Sequence, residues 1–221
     1  MKDWKDLNDP REKFPPAGTQ TGETSPRIVK TKYETKDIIV ADIVPTEMGY
    51  AVDSTGAADS TDGIQQALYD CYYDGGGTVF LPAGNYAITD TIVIPQGVTL
   101  RGDWQDPDVG KEYGTVFSVW MDSSEENTGG AFTLYDSSGV VGITVYYPFQ
   151  TLYEVLPYPF TFYVANTSQV ITIRDITVIN GYRGIGTSVE VPHEILIIDN
   201  FKGTFLKSGM ELNNQSDVGT V

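Results

Sequence analysis

One pattern constrains this chain more than any other: short β-branched segments that return at intervals of a few tens of residues. Val141-Gly142-Ile143-Thr144-Val145 is matched 33 residues later by Arg174-Asp175-Ile176-Thr177-Val178, and Ile171-Thr172-Ile173 is matched 24 residues later by Ile195-Leu196-Ile197. Intervals of that length signal stacked repeats. A single coil of this kind exposes both apolar side chains and unpaired strand edges. Stacking buries the first and pairs the second, which gives a quasi-one-dimensional solenoid. Earlier in the chain Thr78–Leu81, Asn85–Ile88, Thr91–Ile94 and Val98–Leu100 read as strands separated only by Pro82-Ala83-Gly84, Thr89-Asp90 and Pro95-Gln96-Gly97. Connections this short suit strands that turn the corners of a coil.

One helix interrupts the strands. Small polar residues from Gly56 to Gly63 offer N-caps, and Asp62 with Gln65 has the spacing of a capping box. Ile64, Leu68 and Cys71 form an apolar stripe, with Gln65, Gln66 and Asp70 expected to face elsewhere. Asp74-Gly75-Gly76-Gly77 ends the helix, since glycine accepts positive φ. Cys71, the only cysteine, reads as packing and excludes an intrachain disulfide. Residues 1–36 mix charge with proline and glycine and read as a lead or linker, with 37–221 as the folded body beginning at the run Asp37–Val44.

Charge narrows the partners. Residues 1–38 hold eight Lys or Arg against seven Asp or Glu, so the body keeps six basic (14 − 8) and twenty-three acidic (30 − 7) side chains, a net −17. Such a body repels nucleic acid, and it repels polyanionic sugars unless a cation bridges. No apolar run is long enough to span a bilayer and the visible start has no export signal, so no membrane partner is expected.

Gly56-Ala57-Ala58-Asp59-Ser60-Thr61-Asp62-Gly63-Ile64-Gln65-Gln66-Ala67, Gly75-Gly76-Gly77-Thr78-Val79-Phe80-Leu81-Pro82-Ala83-Gly84-Asn85-Tyr86 and Gly97-Val98-Thr99-Leu100-Arg101-Gly102 together resemble the opening of the pectate-lyase-like, rhamnogalacturonase and epimerase-like β-helix family. The resemblance implies an all-β, right-handed parallel β-helix whose short α-helix caps the N-terminal end. It also implies a polysaccharide partner and an extracellular or cell-surface location. The chain stops in mid-repeat without a polar cap, so a fragment of a longer solenoid is expected. It departs from the family where Met48-Gly49-Tyr50-Ala51-Val52-Asp53-Ser54-Thr55-Gly56 replaces the usual aspartate-phenylalanine-glycine-alanine and glycine-aspartate-glycine runs. The paired aspartates, glycine-histidine-glycine and arginine-isoleucine-lysine of polygalacturonases are absent, as is the aspartate and arginine cluster of pectate lyases.

Glycoside hydrolysis needs two carboxylates, and β-elimination needs a base with a charge to neutralise the uronate. The candidate catalytic cluster is Arg183, Glu190, His193, Glu194 and Glu211, with Tyr182 beside it, and the histidine between two glutamates suggests an acid/base site. The competing reading makes the glutamates solvated loop charges and His193 a loop or sheet-edge residue. Tyr146, Tyr147, Tyr153, Tyr158 and Tyr182 are the candidate sugar-stacking residues, and the alternative is that these aromatics cover the solenoid's flank. Asp103, Asp106, Asp108 and Glu112 could offer oxygens to calcium, but they lack a loop's regular alternation and read as a solvated run. No other cofactor or metal is implied. A glycosidase leads the functional expectations. The alternative is a non-catalytic carbohydrate-binding β-helix of tailspike or adhesin type, which would trimerise, and a polysaccharide lyase or epimerase comes third.

Overall fold

The computed structural model describes residues 26–104, 111–122, 129–151, 153–165, 167–216 and 219–220. Residues 1–25 of the expected lead over 1–36, together with Asp106 and Asp108, lie outside them.

The strands stack into a three-faced parallel coil. The first face carries β4 (Gly77–Leu81), β7 (Val98–Gly102), the start of β10 (Gly139–Tyr146), and stretches of β12 (Thr167–Thr187) and β13 (His193–Glu211), with β14 (Gly219–Thr220) beyond. The second stacks β3 (Thr55–Asp59), β5 (Gly84–Ile88), β8 (Thr115–Val119), the end of β10 and the middle of β12. The third stacks β6 (Ile92–Ile94), β9 (Gly130–Leu134), β11 (Phe160–Val164), and the ends of β12 and β13. All of these pairings are parallel. The fold is the parallel β-helix that the sequence implied.

Alternation explains why stacking is stable: each strand sends every second side chain inward, and equivalent rungs align. On the first face the interior row runs Ile43, Val79, Leu100, Val140, Ile173, Ile198, every member buried. The second face contributes Tyr86, Phe117, Val145 and Val178. The third contributes Ile92, Phe132, Phe162 and Ile185. Of the two repeats read from sequence, Ile143 pairs with Ile176 as expected. The other is off by one: Ile171 lies opposite Leu196, not Ile195. A one-residue slip would have turned the half-buried Ile195 and Ile197 inward in place of Leu196 and Ile198.

Helix α1 (Thr61–Tyr73) closes the N-terminal end. Ile64, Leu68 and Cys71 are buried in the core as expected, and burial pushes the Cys71 thiol up to about 12. The capping-box expectation is corrected. Ser60 is the N-cap without a side-chain cap bond, and Asp59 instead accepts from the Thr61 amide at 3.0 Å. Gln65 does not face away but is buried. Its Nε2 donates to the Val93 carbonyl at 2.9 Å and its Oε1 accepts from the Val93 amide at 2.7 Å. The side chain thereby imitates the next strand of β6's ladder, which has no coil above it. At the other end of α1, Gly75, Gly76 and Gly77 all take positive φ, as the glycine run led one to expect.

Residues 26–42 run along the outside of the coil before Ile43 turns into its interior. β1 (Arg27–Ile28) pairs antiparallel with β2 (Val40–Ala41), and Ile39, Ala41, Val44 and Phe80 form a small second core against Val29. The buried Asp103 carboxylate accepts the backbone amides of Lys32 at 2.5 Å and Tyr33 at 3.4 Å. Asp37 accepts from both Arg101, at 2.9 Å, and Arg174, at 2.7 Å. These bonds strap the segment to the solenoid.

Candidate functional site

The outer surface of the third face brings together two of the predicted catalytic residues. Arg183, near the end of β12, meets Glu211, at the end of β13, through Nε to Oε1 at 3.1 Å and Nη2 to Oε2 at 2.7 Å. This fork-to-fork geometry fixes the guanidinium plane as well as its charge. The guanidinium also lies over the Phe160 ring, 3.5 Å from its centroid, an arrangement that attracts a cation to the ring face. Gly186 makes room for the ring, because a Cβ there would fall 2.5 Å from Phe160 Cε2 and Cζ. Ser208 Oγ donates to Glu211 Oε1. The Arg183 hydrogen bond, aided by Ser208, holds the Glu211 carboxyl below its ordinary range against the opposing effect of burial. Glu211 is therefore ionised at neutral pH and is a poor proton donor. Tyr182 precedes Arg183 and carries the Lys207 ammonium 5.6 Å from its ring centroid.

The other candidates separate. Glu190 is exposed on the turn after the third face, its amide held by Ser188 Oγ at 3.2 Å. Glu194 is half-buried at the start of β13, on the first-face side. His193 is corrected as a direct participant. Its side chain is only 1% exposed, and among the described residues neither ring nitrogen has a hydrogen-bond partner. Inward placement at the first residue of β13 shuts it off from any polymer.

Burial of that unpaired imidazole lowers its pKa below the ordinary 6.5, with a consequence for stability. Above about 6.5 the ring is neutral in folded and unfolded chains alike. As pH falls below that, the unfolded chain takes up a proton that the folded chain refuses, so stability drops until the folded-state pKa is reached. Urea midpoints should therefore fall between about pH 7 and about pH 5.5, and His193→Leu should flatten that part of the profile. An unchanged profile in the variant would assign the fall to other groups. Glu211 acts in a separate window: its stabilising contribution is lost only as pH falls from its ordinary 4.5 through its lowered value.

The aromatic candidates divide in the same way. Tyr147 and Tyr158 are each 1% exposed, packed on each other at 4.9 Å between ring centroids, with Tyr147 Oη 2.9 Å from Thr161 Oγ1. They are core residues, and their reading as sugar platforms is corrected. Tyr153 is 98% exposed. Tyr146 lies on the second face under the Lys111 ammonium. Of the run that could offer oxygens to calcium, Asp103 spends its carboxylate on the strap, while Glu112 stands exposed at the other end. Among the described residues no three His, Cys, Asp or Glu side chains gather as a metal site. The sequence reading missed Phe160, Gly186 and Ser208. The three glycines at 181, 184 and 186 within one strand were the available signal, since strand glycines mark close approaches.

Comparison with known proteins agrees with the architecture. Residues 47–140 match the family described as rhamnogalacturonase A/epimerase, pectate lyase-like. A mannuronan C5-epimerase of Azotobacter vinelandii, AlgE1, is 42% identical over 55 residues, 22% of this chain and 4% of that protein. The A-module of the mannuronan C-5 epimerase AlgE4 from the same organism superimposes with a TM-score of 0.56 at 18% identity, covering 78% of this chain and 50% of that one. The AlgE6 A-module gives 0.54 at 15%, covering 80% and 57%. The chain thus spans little more than half of these solved modules, and at such identities the likeness establishes the fold.

Proposed function

We propose, from the likeness of residues 47–140 to the rhamnogalacturonase A/epimerase, pectate lyase-like family, that this chain acts on uronate-containing glycans outside the cell by moving the proton next to the sugar carboxylate. The observation that carries this reading is the Arg183–Glu211 pair on Phe160. Removing a proton α to a carboxylate places a second negative charge on the sugar. A guanidinium fixed on the outer surface of the coil is suited to stabilise it. Glu211, ionised, orients Arg183. Glu190, on the exposed turn beyond the same face, is the carboxylate assigned to proton transfer, while Glu194 lies on the first-face side, away from the pair. Return of the proton to the opposite face of the sugar gives the epimer, and expulsion of the glycosidic oxygen gives the unsaturated lyase product. The epimerases among the similar proteins favour the first outcome.

The glycosidase expectation is less well supported. It needs a carboxyl group kept protonated beside a second carboxylate, and Glu211 is held in the wrong state for that role.

The test is incubation of the protein in deuterated water with mannuronan, polygalacturonate and a neutral glucan, following deuterium at C5, unsaturated ends and reducing ends. Deuterium should enter the uronate, and Arg183→Gln should lower kcat/KM by about 10²–10³-fold. Release of reducing ends from the neutral glucan, unaffected by Arg183→Gln but abolished by Glu190→Gln or Glu194→Gln, would instead establish a hydrolase. Binding without turnover would favour the adhesin alternative.

A further inference from the structure

A second cleft lies on a different face. Strap residues Lys32 and Tyr33 form one wall, Lys111 and Glu112 another, and Asn85, Ser118 and Tyr146 belong to the floor, enclosing about 310 Å³. That volume is at the lower end of the range for small-molecule sites. The floor residues come from β5, β8 and β10, three consecutive rungs of the second face. It therefore extends about 10 Å along the solenoid axis.

The charges here run against the rest of the body. Only six basic residues lie beyond residue 38, and three are committed to carboxylates: Arg101 and Arg174 to Asp37, and Arg183 to Glu211. Lys111 instead places its ammonium 4.3 Å over the Tyr146 ring and 3.2 Å from its hydroxyl. Lys32 lines the same cleft with its ammonium 5.5 Å from the Tyr33 ring centroid, while the carboxylate nearest its backbone, Asp103, is occupied by amides. Among the described residues neither ammonium is in a salt bridge. Ser118 Oγ donates to Asn85 Oδ1 at 2.8 Å, which directs the Asn85 amide as a floor group. Two cations, two tyrosine rings and a small set of polar groups thus converge where the surrounding surface is acidic.

We propose that this cleft is a binding subsite for a carboxylated sugar unit. Lys32 and Lys111 would take the carboxylate, Tyr33 and Tyr146 the apolar face of the ring, and Asn85, Ser118 and Glu112 the hydroxyls. The cleft gives a chain of net charge −16 a means of holding a polyanion without a bridging metal. The subsite deepens the proposed function and rests on it for its choice of uronate, but it uses none of the same residues.

The experiment is calorimetric titration of the protein with trimers of galacturonate and mannuronate, and with a neutral glucose trimer. An acidic trimer should bind at least about tenfold more tightly than the neutral one, and the double variant Lys32→Gln/Lys111→Gln should weaken it by about tenfold or more. Lys202→Gln, on an exposed part of β13, should bind as the parent does. Arg183→Gln should keep the binding while losing turnover, which separates failure of the subsite from failure of the catalytic reading. No binding of either acidic trimer, equal binding of the neutral one, or full affinity in the double variant would each overturn the subsite.

Discussion

Replacing Phe132 by alanine should cost the fold about 3–5 kcal/mol, the range for emptying a buried aromatic position. The ring is fully buried and lies between two others, 5.0 Å from Phe117 edge-on and 5.4 Å from Phe162 stacked. It therefore ties the second face to the third and one coil to the next. Its neighbours are held by their own strands and cannot collapse into the gap. Set against a domain stability of about 5–15 kcal/mol, the loss is large. Urea unfolding of Phe132→Ala beside Tyr153→Ala gives the comparison, since the exposed Tyr153 should matter by no more than about 0.5 kcal/mol. Similar midpoints for the two variants would contradict the packing described above.

Gln65→Leu should be nearly as damaging, at about 2–4 kcal/mol, although it adds apolar surface to a buried position. Its amide satisfies both backbone groups of Val93, and an abandoned buried donor or acceptor costs about 1–3 kcal/mol. Gln66→Leu is the control. Gln66 makes an i,i+4 bond to Asp70 at 2.9 Å, worth about 0.5 kcal/mol or less. Hydrogen exchange should also quicken at the Val93 amide in Gln65→Leu alone. Equal destabilisation by the two substitutions would show that Gln65 acts through helix propensity and not by completing the sheet.

These two residues also mark what the sequence could reveal. The helix, its glycine terminus and the early strands were legible because caps, apolar spacing and turn residues are local signals. The role of Gln65 was not, since its partner lies 28 residues away on a strand edge. The strap escaped notice for the same reason: Lys32 and Asp103 are 71 residues apart. Ile195-Leu196-Ile197-Ile198 is apolar at every position, so alternation alone could not say which pair points inward. Residue type likewise could not separate Tyr153 from Tyr147, because a tyrosine can close a core through its ring while satisfying its hydroxyl. At the site, the Arg183–Glu211 pairing follows from the stacking of β12 on β13. His193 was misplaced because its proximity in sequence to two glutamates ignored the inward turn of its strand.

Asp37 holds Arg101 and Arg174 at once, and the rung between them, Val141, pairs with each in turn. A stack of coils in which every unit touches only its neighbours can fray one coil at a time. A bond that reaches over an intervening coil changes that arithmetic. Being largely a surface ion pair it adds little energy, but what it adds is shared by the three rungs it spans, so the strap works as a bookbinder's stitch that favours their opening together.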